Sequence, residues 1–172
     1  MRKLLKISVL ALFFGLLGFL LYKTYAKINK NRQIAENIQS LPAFYFYDLN
    51  DSLFTDARLQ PDKALLIIHF HPECEFCRHE AQLIAGKINN FAPYQLLFVS
   101  YAEKKQIKDY AYEFKLSGYP NIIFLQDKDM VFTEIFGKSG IPTSFIYDKN
   151  QKLIKKFKGE TKAEALLKYL EK

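Results

Sequence analysis

Apolar positions along this chain follow three different rhythms. From Ile7 to Tyr22 (ISVLALFFGLLGFLLY) the chain is uninterrupted by charge. Further on come short apolar or β-rich runs: Ala43 to Tyr47, Ser52 to Phe54, Ala64 to Phe70, Gln95 to Val99, Asn121 to Leu125, Thr143 to Tyr147 and Lys152 to Phe157. Runs of this length, bounded by Asn, Asp, Pro and Gly, predict strands. Between them the spacing becomes helical. Cys77, Ala81, Ile84, Ala85 and Ile88 share one face of a first helix, with Asn89-Asn90 and Pro93 stopping it. Ile107, Tyr110, Ala111 and Phe114 mark a second helix and Leu166, Leu167 and Leu170 a last one. Met130 to Phe136 reads as a helical turn or two. Caps are expected at Ser100 with Glu103 and at Thr161 with Glu164, and Gly118 is expected to close the second helix. Asp48-Leu49-Asn50-Asp51 and Asp148-Lys149-Asn150-Gln151 are expected hairpin turns. Strands alternating with helices, then a hairpin and a closing helix, predict an α/β sandwich around a mixed sheet.

Charge changes the picture only at the start of the chain. The formal net charge is +7, yet residues 1–32 hold seven basic groups and no acidic one, and the remaining 18 basic and 18 acidic residues balance. The excess therefore belongs to the leader and carries no nucleic-acid signal. An uncharged run flanked by lysines and tyrosines predicts a membrane segment in residues 1–28, contacting the bilayer through 7–22. A cleaved signal peptide is the alternative, with Thr24-Tyr25-Ala26 a poor cleavage site. Basic residues on both sides leave orientation open, though a short basic start before an apolar run favours export of the downstream chain. Residues 29–40 read as a polar tether and 41–172 as the domain.

Chemistry concentrates where the central strand ends. His69-Phe70-His71-Pro72-Glu73-Cys74-Glu75-Phe76-Cys77-Arg78-His79-Glu80 holds both cysteines and all three histidines of the chain. Cys74 falls at a helix N-terminus, where unpaired N–H groups and the macrodipole stabilise a thiolate. Cys77 is one turn further in, better shielded, and suits the resolving role in thiol–disulfide exchange. His69, inside a strand, reads as a sheet residue, whereas His71 and His79 are candidates for a proton or metal role.

A strand, then Cys74-Glu75-Phe76-Cys77 on a helix start, then Gly140-Ile141-Pro142-Thr143 before a strand, resembles the thioredoxin fold. Within that fold it resembles the TlpA/ResA-type membrane-anchored thiol–disulfide oxidoreductases, over about residues 41–171. The resemblance implies a thioredoxin-like mixed sheet flanked by helices, with an N-terminal β-hairpin extension and an N-terminal membrane helix. It implies a cis Pro142 facing the cysteines, with Ile141 and Thr143 beside it to bind a substrate strand. It also implies that Glu80, the glutamate of the pattern Cys-x-x-Cys-x-x-Glu, is a partly buried acid handling protons for the pair. No cofactor is implied. The partners would be cysteine-containing client proteins and a membrane or extracytoplasmic thiol donor, with the domain on the outer side of the cell membrane.

Two departures bear on direction. Glu73 stands where the family usually has Trp, and no proline lies within the pair. Glu73 and Glu75 oppose a thiolate at Cys74, Arg78 is placed to offset one of them, and a reductant is the expectation. Two other classes stay open. One is a Cu(I) or Zn carrier using both thiolates with His71 or His79. The other is a peroxiredoxin-type peroxidase, which lacks here its Pro-x-x-x-Thr-x-x-Cys loop.

Overall fold

The computed structural model describes residues 2–172, with the side chains of 12 and 14–172. Two units emerge along the chain, 1–36 and 37–172. The first is built on helix α1 (Arg2–Asn37). Among the described residues no helix is long and apolar enough to cross a membrane. The side chains of residues 7–11 and 13, within the expected span over 7–22, lie outside those described. The expected membrane helix thus gains no support from the described residues. The tether expected over 29–40 is mostly helical, and the second unit begins at Asn37. Ile38 is buried, its carbonyl accepting from the Tyr147 hydroxyl at 3.2 Å.

The second unit is one seven-stranded mixed sheet. Its strands are β1 (Tyr45–Asp48), β2 (Leu53–Thr55), β3 (Leu65–His69), β4 (Gln95–Ser100), β5 (Ile122–Gln126), β6 (Thr143–Tyr147) and β7 (Leu153–Lys158). Their spatial order is β2-β1-β5-β4-β3-β6-β7. The three parallel neighbours β3, β4 and β5 are joined through α2 (Glu75–Ala85) and α3 (Lys104–Glu113). A short α4 (Phe132–Ile135) leads to β6, which runs antiparallel to β3, and α5 (Ala163–Leu170) closes the chain. Central position explains composition: β3 and β4 are buried on both faces and so read as continuous apolar runs. The expected β1–β2 hairpin forms and joins the sheet edge through β5. Both hairpin turns use one device, an aspartate carboxylate accepting two backbone N–H groups: Asp48 from Asn50 and Ser52, Asp148 from Asn150 and Lys152.

Alternation along β3 separates two cores. Leu66, Ile68 and Phe70 pack with Cys77, Ala81, Ile84, Tyr110, Leu166 and Leu170 from α2, α3 and α5. On the other face an aromatic stack forms, with Phe132 against Phe46, Phe136 and Phe145. Each such buried ring contributes roughly 1.5–3 kcal/mol relative to exposure.

Three helix ends differ from expectation. The cap of α3 is Glu103, whose N–H donates to Gln106 at 3.2 Å, because Ser100 is still paired in β4 and its hydroxyl accepts from Ala102. That helix ends through Lys115 at φ 54° rather than at Gly118, since the fully buried Leu116 draws the chain back onto the core. The cap of α5 is Lys162, and the Thr161 hydroxyl instead donates to the Gly159 carbonyl.

Candidate functional site

Strand β3 delivers the chain to the C-terminal edge of the sheet, where Phe70 still pairs with Val99. His71-Pro72-Glu73 then turns it into α2. The turn closes with the Cys74 N–H donating to the His71 carbonyl at 3.0 Å. Cys74 itself is extended (φ −77°, ψ 118°) and is the N-cap, its carbonyl accepting from Arg78 N–H at 3.0 Å. The thiol of Cys74 is half-buried and donates toward the Ile141 carbonyl, 3.8 Å away. Cys77 is only 2% exposed, and its thiol hydrogen-bonds that of Cys74. Burial, and next that hydrogen bond, push the Cys77 thiol far above the ordinary cysteine range, against a smaller opposing pull from the His71 backbone.

Opposite the cysteines lies the segment entering β6. The Ile141–Pro142 peptide is cis, as the resemblance implies. The Pro142 carbonyl accepts from Gly159 N–H at 2.8 Å, and Gly159 sits at φ 83°, where a side chain would be strained. Thr143 is fully buried and its hydroxyl donates to the Gly140 carbonyl. It holds the loop and is not open to a client side chain; its backbone pairs with His69 and Lys158 in the sheet.

One turn beyond Cys77, the carboxyl of Glu80 is enclosed, with 1% exposure. Burial raises its pKa to about 8; Ser144 lowers it by donating to Oε1 at 3.1 Å, and the Glu160 charge raises it. Oε2 has no partner among the described residues. From α3 the Tyr110 hydroxyl donates to the Cys77 carbonyl at 2.7 Å. Tyr110→Phe is expected to cost about 1 kcal/mol by urea unfolding while leaving the thiols accessible as before.

The histidines part company. His69 stacks on Phe132 with ring centres 4.1 Å apart, its ring nitrogens unpartnered among the described residues, and burial holds its pKa near 4, so it is a neutral sheet residue. His71 accepts from Glu73 N–H, and His79 lies 2.7 Å from Glu160. Among the described residues no three His, Cys, Asp or Glu side chains converge to hold a metal. Arg78 does not offset Glu73 or Glu75. It pairs with Glu113 and stacks over Phe114, while Glu73 accepts from Gln106 at 3.0 Å. Phe76, between the cysteines, is 61% exposed.

Sequence reasoning passed over Ser144, Tyr110 and Glu160. Ser144 left a faint signal, a hydroxyl at an inward position of the otherwise apolar stretch Phe145-Ile146-Tyr147. Tyr110 read only as one more apolar position of a helix face.

A mixed sheet, two cysteines on the first turn of a helix and a cis-proline loop across from them define a domain of thioredoxin-like architecture. The chain belongs to the thioredoxin-like domain family, which matches residues 51–172. Solved structures of similar fold include a secreted Mycobacterium tuberculosis disulfide oxidoreductase homologous to Escherichia coli DsbE (TM-score 0.63, 18% identity, covering 79% of this chain and 97% of that one). The thioredoxin domain of a thiol-disulfide oxidoreductase from Bacteroides vulgatus is similar too (0.62, 22%, 78% and 94%). So is the peroxidoxin BcpB of Mycobacterium tuberculosis (0.65, 15%, 77% and 94%). At these identities the likeness is one of fold. No curated protein matches the chain.

Proposed function

We propose that the chain is a thiol–disulfide oxidoreductase that reduces protein disulfides outside the cytoplasm, held at the membrane through residues 7–22. The observation that carries this reading is the half-exposed Cys74 sulfur on a helix cap, facing the Ile141 carbonyl, with Cys77 shielded behind it. Cys74 thiolate attacks one sulfur of a client disulfide; a mixed disulfide forms and the other client sulfur leaves as thiolate. Cys77, its proton passed to Glu80 in the fraction of molecules where that carboxyl is ionised, then attacks Cys74 Sγ. The Cys74–Cys77 disulfide forms and the second client thiolate departs. The client gains two electrons, the pair loses two, and a membrane or extracytoplasmic dithiol restores it. Ile141 offers its backbone to an extended client segment. No cofactor enters this cycle.

Glu73 and Glu75 add negative charge beside Cys74, and Arg78 is engaged by Glu113. An unstabilised thiolate makes a dithiol the better electron donor. Equilibration of the Cys74/Cys77 pair against dithiothreitol is therefore expected to give a potential nearer the roughly −270 mV of thioredoxin than the roughly −120 mV of DsbA. A value at the oxidising end, or failure of the reduced domain to cleave insulin disulfides, overturns the reductant reading. A metal carrier is less well served: His79 is engaged by Glu160 and the Ile141 carbonyl faces Cys74.

A further inference from the structure

Glu80 is enclosed by groups from every element around it. Cys77 approaches from its own helix and Tyr110 from α3, while α5 offers the apolar Ala163 and Leu166 of the same core. The remaining side belongs to the segment beyond the cis-proline. Ser144, fully buried on β6, lies on the α2 face with Ile146, and its hydroxyl is fixed on Glu80 Oε1. At the same open end of the β6–β7 hairpin, Gly159 is tied to the Pro142 carbonyl. That contact brings the solvent-facing Glu160 over α2, against His79, the residue next to Glu80.

We infer that Ser144 and Glu160, on the two arms of the β6–β7 hairpin at its open end, are opposed positioning residues for Glu80. Ser144 anchors Oε1 and favours the ionised carboxylate; Glu160 disfavours it. The inference rests on the proton-handling role proposed for Glu80 and names what regulates it. A hydroxyl donated to a carboxylate stabilises the charged form, and a second carboxylate nearby destabilises it. With Oε1 held, the unpartnered Oε2 is the oxygen left to exchange a proton with Cys77. His79 contacts Glu160 at 2.7 Å on the outer side of α2.

The test reads Glu80 itself, without any client. In reduced protein labelled with carbon-13 at glutamate Cδ, Ser144→Ala is expected to raise the Glu80 titration midpoint by roughly one pH unit. Glu160→Gln is expected to lower it, and Ser144→Thr to return it toward the starting value. An unchanged midpoint in Ser144→Ala, or movement of both variants in one direction, overturns the inference. If Ser144→Ala does not fold, the Glu160→Gln arm decides alone: a downward shift supports the opposed pair, and no shift ends it. Insulin reduction by Glu80→Gln separates the two levels. Full activity there sinks the role of Glu80 in exchange while leaving the measured midpoints, and hence the opposed pair, standing.

Discussion

Reduced Cys77→Ser protein is expected to accumulate as a one-to-one mixed disulfide with insulin through Cys74, while Cys74→Ser forms no such adduct. Turnover should fall by on the order of a thousandfold or more in either variant, because nucleophile and resolving group act as one unit. The asymmetry stems from access. Cys74 sits half-buried at the helix cap, and Cys77 is enclosed and held protonated by burial. A client disulfide reaches only the first. Cys77 meets a sulfur only after Cys74 has brought it there, so its removal strands the intermediate. Adduct formation of equal extent in both variants, read by non-reducing electrophoresis and mass spectrometry, would refute this order of attack.

The second large effect is on stability against pH. The unfolded Glu80 carboxyl titrates near 4.5 and the folded one near 8, so between these values the native state holds a proton that the unfolded chain has released. Stability conferred by that proton is complete below pH 4.5 and is lost as pH rises through 8. His69 acts in the opposite sense: its folded pKa is near 4 and its unfolded value near 6.5, so stability rises across that interval and is level above it. The two slopes oppose each other between pH 4.5 and 6.5. From pH 6.5 to 8 Glu80 acts alone, and unfolding free energy should fall by about 2 kcal/mol. Glu80→Gln carries no titrating proton and should hold a flat profile over that window by urea titration. A wild-type curve that is flat there too would mean the carboxylate is solvated in the native protein.

Much of the site was legible because its chemistry is local. A strand running into Cys74-Glu75-Phe76-Cys77 places both sulfurs on one turn, since residues three apart on a helix share a face. The resemblance, and not the spacing, pointed to Glu80 as a partly buried acid, and Cys77, Glu80, Ala81 and Ile84 are all buried on one side of α2. What could not be read was which partner each charge would choose. Arg78 has acidic neighbours on its own helix and yet pairs with Glu113, because α3 packs alongside and Phe114 offers a face for the guanidinium. The helix caps failed for a related reason. Ser100 and Thr161 carry capping side chains, but sheet pairing and a glycine turn claimed them first.

By itself, the sequence determined the strand and helix order, the mixed α/β architecture and the placing of two cysteines on one helical turn. All of these depend on spacing along one segment, and spacing is written in the chain. Tertiary structure alone decided what surrounds Glu80. Ser144 lies 64 residues from Glu80 in sequence, and only the pairing of β6 beside β3 brings its hydroxyl under the first helix of the site. Burial then does the rest, because the charge on a carboxylate depends on how much water the assembled fold leaves it, and no local pattern records that.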